Sequence, residues 1–423
     1  MKQSLQAVAL DPAFAERGVR LFSYPDATQT GAIGMATAPD GNIYVAGNLT
    51  VAAPATQGRF WLTRITPHGQ VDSSFGNNGV VIDDFAAGGH SIAFEVSVLK
   101  DGNILLSGNH GARASALARY LPSGSLNLVF GNSGKVVLDA EQGQAHATGQ
   151  AATQAGAGSA GAHSLELPDG KFITLANYSE SAHDWIKGRV YRLTATGDID
   201  STFAGKGYVD IEYAGTAASN TLIKQVRLQA DGKFLLSGTA GGGTQPRQAL
   251  FTRLHPDGSR DLTFGDNGFQ VVALDASIAF ATQFMQYDNG EFVALYNQVV
   301  PRGAVLLGQQ ANGAANPAFN QGQPLPVHLE DRTSVLNTAA LDERDNILVA
   351  GGSLDPQSGL TNVVLARYLR SGSLDPTFND KGSVVLPIGT GENYASAVTV
   401  QADGNLLIAG KTDAGGFVAR LLI

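Results

Sequence analysis

A chain of 423 residues with eight histidines and no cysteine has no thiolate nucleophile, no disulfide and no Cys-ligated zinc, which turns attention to its His, carboxylate and aromatic side chains. These are densest in "ANYSESAHDWIKG", which sets Tyr178, His183, Asp184 and Trp185 within eight residues. An exposed Tyr and Trp beside His and Asp make a patch suited to stacking a sugar or anchoring a protein partner. The plainer alternative is that Trp185 covers a neighbouring structural unit and the histidines are solvated. His90, His110, His146 and His183 would form a metal site only if their rings converged at about 2.0 to 2.1 Å from one ion. No HxH or HExxH spacing supports that, so neither metal nor cofactor is assigned. Acidic loops at Glu330, Asp331 and Arg332 and at Asp355 offer a cation or a basic partner some purchase, with solvated surface as the alternative.

Other resemblances to reactive motifs fail on context. "AGKTDAGG" ends like a phosphate loop at Gly410, Lys411 and Thr412, but Asn405 stands where the first glycine belongs and no helix follows. "GTAGGGTQPR" lacks the lysine, and "GAGSAG" is no GxSxG elbow. The sequons at Asn48 and Asn177 are what chance supplies.

The elements that position these residues are repeats. The phrase "LDPAFAERG" returns as "VDSSFGNNG", "LNLVFGNSG", "IDSTFAGKG", "RDLTFGDNG", "ANPAFNQGQ" and "LDPTFNDKG", with its Phe at Phe14, Phe75, Phe130, Phe203, Phe264, Phe319 and Phe378. A second phrase, "APDGNIYVAG" through "QADGNLLIAG", runs in step with it. Asp-Gly between alternating apolar residues is a hairpin signal, since the turn needs a positive φ that Gly supplies freely. A third phrase such as "SALARYLPSG" and a fourth such as "GVVIDDF" complete four strands, here lettered A ("AVTVQADG"), B ("NLLIAG"), C ("FVARLLI") and D ("GSVVLPI"). A four-stranded unit of about 55 to 60 residues has the size of a β-propeller blade. A β-helix has a shorter rung, and a string of sandwiches needs longer units. The expected fold is all-β: one seven-bladed propeller of four-stranded antiparallel blades, 28 strands with almost no helix.

The motifs "LDxxFGxxG" and "DGKxLLxG" resemble the delta-60 repeat family of bacterial proteins, a β-propeller domain of unknown function. The resemblance runs from Leu10 to the end and implies a fold but no activity.

The last unit stops after its C strand at Ile423, while the chain begins with an unpaired Phe motif and D strand, "LDPAFAERGVRLF". The N-terminal segment is therefore expected to close the ring. Residues 1–423 make one domain, with 1–9 as lead-in, 10–23 as closing motif and strand D of blade seven, and 24–423 as the remaining strands. Strand C carries Arg64, Arg119, Arg192, Arg253, Arg367 and Arg420, and eight residues beyond the first five stand Asp72, Asn127, Asp200, Asp261 and Asp375. Asp11 is expected to supply the partner of Arg420. The fifth repeat departs, with Gly308 for the Arg and Asn316 for the Asp. Residues repeated in every blade read as scaffold.

Whatever is not repeated is free to bind. The A–B and C–D turns share one face; the D–A and B–C loops share the other and vary in length. His90, His110, His146, His183 and His328 fall on that variable face, with His163 just beyond a loop, leaving His68 and His255 opposite. The leading expectation is a non-enzymatic binding module presenting this face, around blades two to four, to a protein or glycan. The alternative is a hydrolase or lyase with a His and acidic site, metal-dependent or not, at the channel mouth; a structural or surface role comes third.

A net charge of -9 gives no footprint for nucleic acid, which needs clustered Lys and Arg. No 18-residue apolar run spans a membrane, and the N-terminus lacks the apolar core of a Sec signal. The default compartment is cytoplasmic, with signal-independent export as the alternative, and a monomer is expected.

Overall fold

A computed structural model describes residues 7–51, 57–111, 114–138, 163–179, 185–213, 220–242, 245–274, 278–300, 302–329 and 333–423. Seven antiparallel sheets follow one another around a ring, and six have four strands each in chain order, as in blade one with Ala27–Thr37, Ile43–Val51, Gln57–Ile65 and Val80–Asp83. Strand A lies innermost, where successive A strands touch around a central channel. The described residues contain no α-helix, only one 3-10 turn at Asn320–Gly322.

The seventh sheet closes the ring. Its C strand, Gly415–Leu422, pairs with Val19–Phe22 and also with Ala9–Leu10. That last pair explains one strand more than the 28 expected. In the other six blades the same contact is a single bridge inside the C–D turn, such as Ile65 with Val71. In blade seven the two sides come from opposite ends of the chain, and the pairing runs for two residues. Seven apolar clusters fill the seven junctions between neighbouring blades.

Each repeated phrase has a mechanical role at these junctions. Arg Nε meets the Asp carboxylate at 2.9 Å in Arg64–Asp72, 2.8 Å in Arg192–Asp200 and Arg253–Asp261, and 2.7 Å in Arg367–Asp375. The other Asp oxygen accepts the backbone N–H two residues on, as from Thr263 at 3.0 Å. The same guanidinium donates to a carbonyl of the next blade, as Arg253 does to Ala311 at 2.9 Å. Beneath it the Phe is buried with its ring against the next blade's C–D turn: a Cβ on Gly313 would lie 2.7 Å from the Phe264 ring. Arg420 reaches Asp11 at 3.5 Å and also pairs with Asp403, so the closing junction uses the same latch in a looser form. Arg119, facing Asn127, takes Asp101 instead. In blade five Phe319 folds over Gly308, where a Cβ would sit 2.4 Å from the Phe319 Cβ, so no arginine fits there.

The inner strands carry a second set of junctions. In every blade except the third, the A–B register slips by one residue at a bulge, as between Ala93 and Glu95 or Ile223 and Gln225. A bulge leaves one residue unpaired and re-aims its neighbours. Where the residue after it is long and polar it reaches the next blade: Gln225 accepts the Phe284 N–H at 2.6 Å, and Gln283 accepts that of Ala339 at 3.0 Å. Asn48, Asn177 and Asn297 on strand B clamp the backbone before the next blade's bulge, each both donating and accepting, as Asn177 does with Ile223.

Candidate functional site

Glu95 occupies the same post-bulge position as Gln225 and Gln283, on strand A of blade two (Ser91–Val98). One oxygen accepts the Ser164 N–H of blade three at 3.4 Å, so the carboxylate performs the same junction role. Its other oxygen lies 3.3 Å from Nε2 of His163, and Nη1 of Arg227 lies 3.1 Å from that same nitrogen. Nε2 can donate to Glu95 or accept from Arg227, one at a time. Arg227 and Lys224 stand on strand A of blade four (Asn220–Leu228), with Lys224 at the bulge itself. Nζ of Lys224 lies 5.3 Å from the centre of the Phe94 ring of blade two, reaching past blade three. Side chains from three blades therefore converge inside the channel.

The electrostatics follow from that enclosure. Burial by itself would raise the pKa of Glu95, but His163, Arg227 and the Ser164 N–H together hold it below the usual value. Burial lowers Lys224 and Arg227, each partly offset by Glu95. Glu95 keeps a third of its side-chain surface, and Lys224 and Arg227 are half-buried, so water reaches all three. Lys224 has no hydrogen-bond acceptor and Arg227 no carboxylate within ion-pair distance among the described residues. Nearer the variable face, Arg247 stacks on Phe280 at 4.9 Å with a buried Nη1 that has no hydrogen-bond partner among the described residues.

The residues singled out by sequence are spread more widely. Trp185 is 39% exposed, on the variable face, and the next residue donates its N–H to Asn220 at the start of the strand bearing Lys224 and Arg227. Tyr178 is not part of an exposed patch: it is 7% exposed, its hydroxyl 2.8 Å from Arg189 and its ring 4.1 Å from that guanidinium, which Tyr208 covers from another direction at 3.9 Å. Arg189 also binds Asp210, so the position needed an aromatic to shield a buried cation. His90 accepts the Gly58 N–H on Nδ1 at 2.9 Å, and Nδ1 of His110 lies 3.2 Å from the Ser91 hydroxyl. Both rings are thereby tied to blade edges, and no group of three metal-ligating side chains occurs among the described residues. His146, His183, Asp184, Glu330, Asp331 and Arg332 lie outside the described residues. Asp355 accepts N–H groups of its own turn from Gln357 and Ser358. His163 was noticed only as lying just beyond a loop, and Glu95, Lys224 and Arg227 were missed. Their signal is a charged side chain at inner-strand positions that are uncharged in the other bulged blades, as Glu95 is matched by Gly34, Thr338 and Ala397.

Three stretches, residues 38–75, 229–264 and 344–378, match the family model described as a domain of unknown function (DUF5122) beta-propeller. Those stretches are similar to that β-propeller family, whose description assigns no function. No curated protein matches it. Among solved structures it is similar in overall shape to the polysaccharide lyase Uly1, with 13% identity, 95% of this chain and 91% of that one covered, and a TM-score of 0.46. It is similar also to the beta-propeller domain of the Trilobed protease from Pyrococcus furiosus, with 8% identity, coverage of 93% and 94%, and a TM-score of 0.44. A glucose dehydrogenase aligns at 11% identity, over 96% and 99% of the two chains, with a TM-score of 0.42.

Proposed function

We propose that this propeller is a non-enzymatic binding module whose variable face, over blades two to four, holds a glycan or protein partner. The observation that carries this reading is Trp185, the one exposed aromatic side chain among the described residues, standing on that face where blades three and four meet. Exposed Trp is costly to leave in water and is the side chain best suited to stack on a sugar ring or fill a partner's pocket. The ring beneath it is fixed by repeated latches, so loops can vary without loss of the core. A glycan array probed with the wild type, Trp185→Ala and His183→Ala tests it: loss of binding in the variants supports the reading, and equal binding by all three removes blade three from it.

The Glu95–His163 pair favours a second reading, a hydrolase or lyase. Against it, both Glu95 oxygens are already engaged in holding blades two and three together.

A further inference from the structure

We infer that the channel between blades two and four is a binding site for a singly charged carboxylate, of the kind an acidic sugar carries, held by Lys224 and Arg227. The inference rests on the binding-module reading and adds the charge and location of the ligand group.

The count of charges selects the ligand. Lys224 and Arg227 contribute two positive charges and Glu95 one negative. One positive charge is left over in a chain whose formal net charge is -9. A carboxylate cancels that surplus. A phosphate dianion would leave an extra negative charge facing Glu95, which weakens it by Coulomb repulsion where the effective dielectric is low.

The geometry is suited to the same group. Arg presents paired N–H donors in a plane that matches the two oxygens of a carboxylate. Lys224, three residues earlier on the same strand, offers an ammonium with three donors, over Phe94 and with no acceptor among the described residues. Phe94, below the ammonium and half-buried, offers the apolar side that a sugar ring or short carbon chain needs. The neutral residues that line the same level, Gln225 and Gln283, are already committed to backbone N–H groups.

Titration calorimetry of the full chain with free glucuronate, glucose and inorganic phosphate tests the inference. The wild type is expected to bind glucuronate, weakly as befits a single sugar, and to bind neither glucose nor phosphate at the same concentrations. Lys224→Met and Arg227→Gln should each weaken glucuronate about tenfold or more, in line with loss of a charged hydrogen-bond donor. Glu95→Gln should tighten glucuronate about threefold to tenfold and admit phosphate, because the repelling charge is gone. Gln performs the same backbone junction in blades four and five, so this variant keeps the fold. A gain of binding cannot come from misfolding. Glucose binding as tightly as glucuronate, affinity indifferent to Lys224→Met and Arg227→Gln, or weaker binding in Glu95→Gln would each overturn the inference. Glycan binding that needs Trp185 but ignores glucuronate would leave the binding-module reading standing and remove only the channel site.

Discussion

The C–D latches and the channel are built from the same side chains, Arg, a carboxylate and an aromatic ring, with opposite results. In the blade-four latch cations and carboxylates are matched: Arg253 binds Asp261, Lys233 bridges Asp261 at 3.0 Å and Asp231 at 3.3 Å, and Arg253 also donates to Ala311 of the next blade. Versions of this arrangement occur at junction after junction. In the channel the cations outnumber the carboxylate, occur once, and are left partly in contact with water. Repetition with charges satisfied is what a scaffold needs, since a buried unpaired charge costs stability. A surplus charge in a single place is what a scaffold would avoid.

That contrast is sharpest where the latch is cut. Phe264→Ala removes a fully buried ring between blades four and five and should destabilise the protein by about 3 to 5 kcal/mol in chemical denaturation. Asp261→Ala strands Arg253, leaves Lys233 only Asp231 and frees the Thr263 N–H, for an expected loss of about 3 kcal/mol. Asp11→Ala should cost only about 1 to 2 kcal/mol, because the closing pair is longer at 3.5 Å and Arg420 retains Asp403. If the closing variant proved as damaging as Asp261→Ala, ring closure would depend on this latch far more than its geometry implies. Smallest is Glu95→Gln, expected within about 1 kcal/mol of wild type because glutamine makes the same backbone junction in blades four and five.

Acid should separate the two regions as well. Asp72, Asp200, Asp261 and Asp375 all have pKa values held below the normal carboxylate range, with Thr or Ser hydroxyl and N–H donors and the latch Arg outweighing burial where burial opposes them. A depressed folded pKa contributes stability that is complete above the unfolded value, about 3.9, and is lost as pH falls through the folded value. Thermal stability should therefore hold from pH 7 to about 5 and fall steeply below about 4. The fall should be shallower in Asp261→Asn; an unchanged slope would mean that this latch carries none of the acid sensitivity.

The sequence was most readable where it repeated. Phe14 to Phe378, the Arg and Asp eight residues apart and the Asp-Gly turns announced both blades and closure, since each phrase solves one local problem the same way each time. Even the turn without its glycine obeys, Asp345 taking the positive φ of 62° there. Tyr178 misled because proximity in sequence to Trp185 says nothing of facing: the strand turns Tyr178 inward onto Arg189, which lies eleven residues on. Lys224, Arg227 and Glu95 were obscured for the converse reason. Only the ring's curvature brings blades two, three and four around one channel, and no short-range spacing encodes that. The bulge that aims Lys224 inward is a register slip, visible only once the strands are paired.

Thermal unfolding of the double variant Lys224→Met/Arg227→Gln beside the wild type, each with and without glucuronate, tests most directly that repeated residues hold the ring while unrepeated ones bind. The double variant should melt no lower than the wild type in buffer and should lose the ligand-induced rise in Tm that the wild type shows. A Tm depressed to the level of Asp261→Ala, or a glucuronate shift as large as that of the wild type, would contradict it.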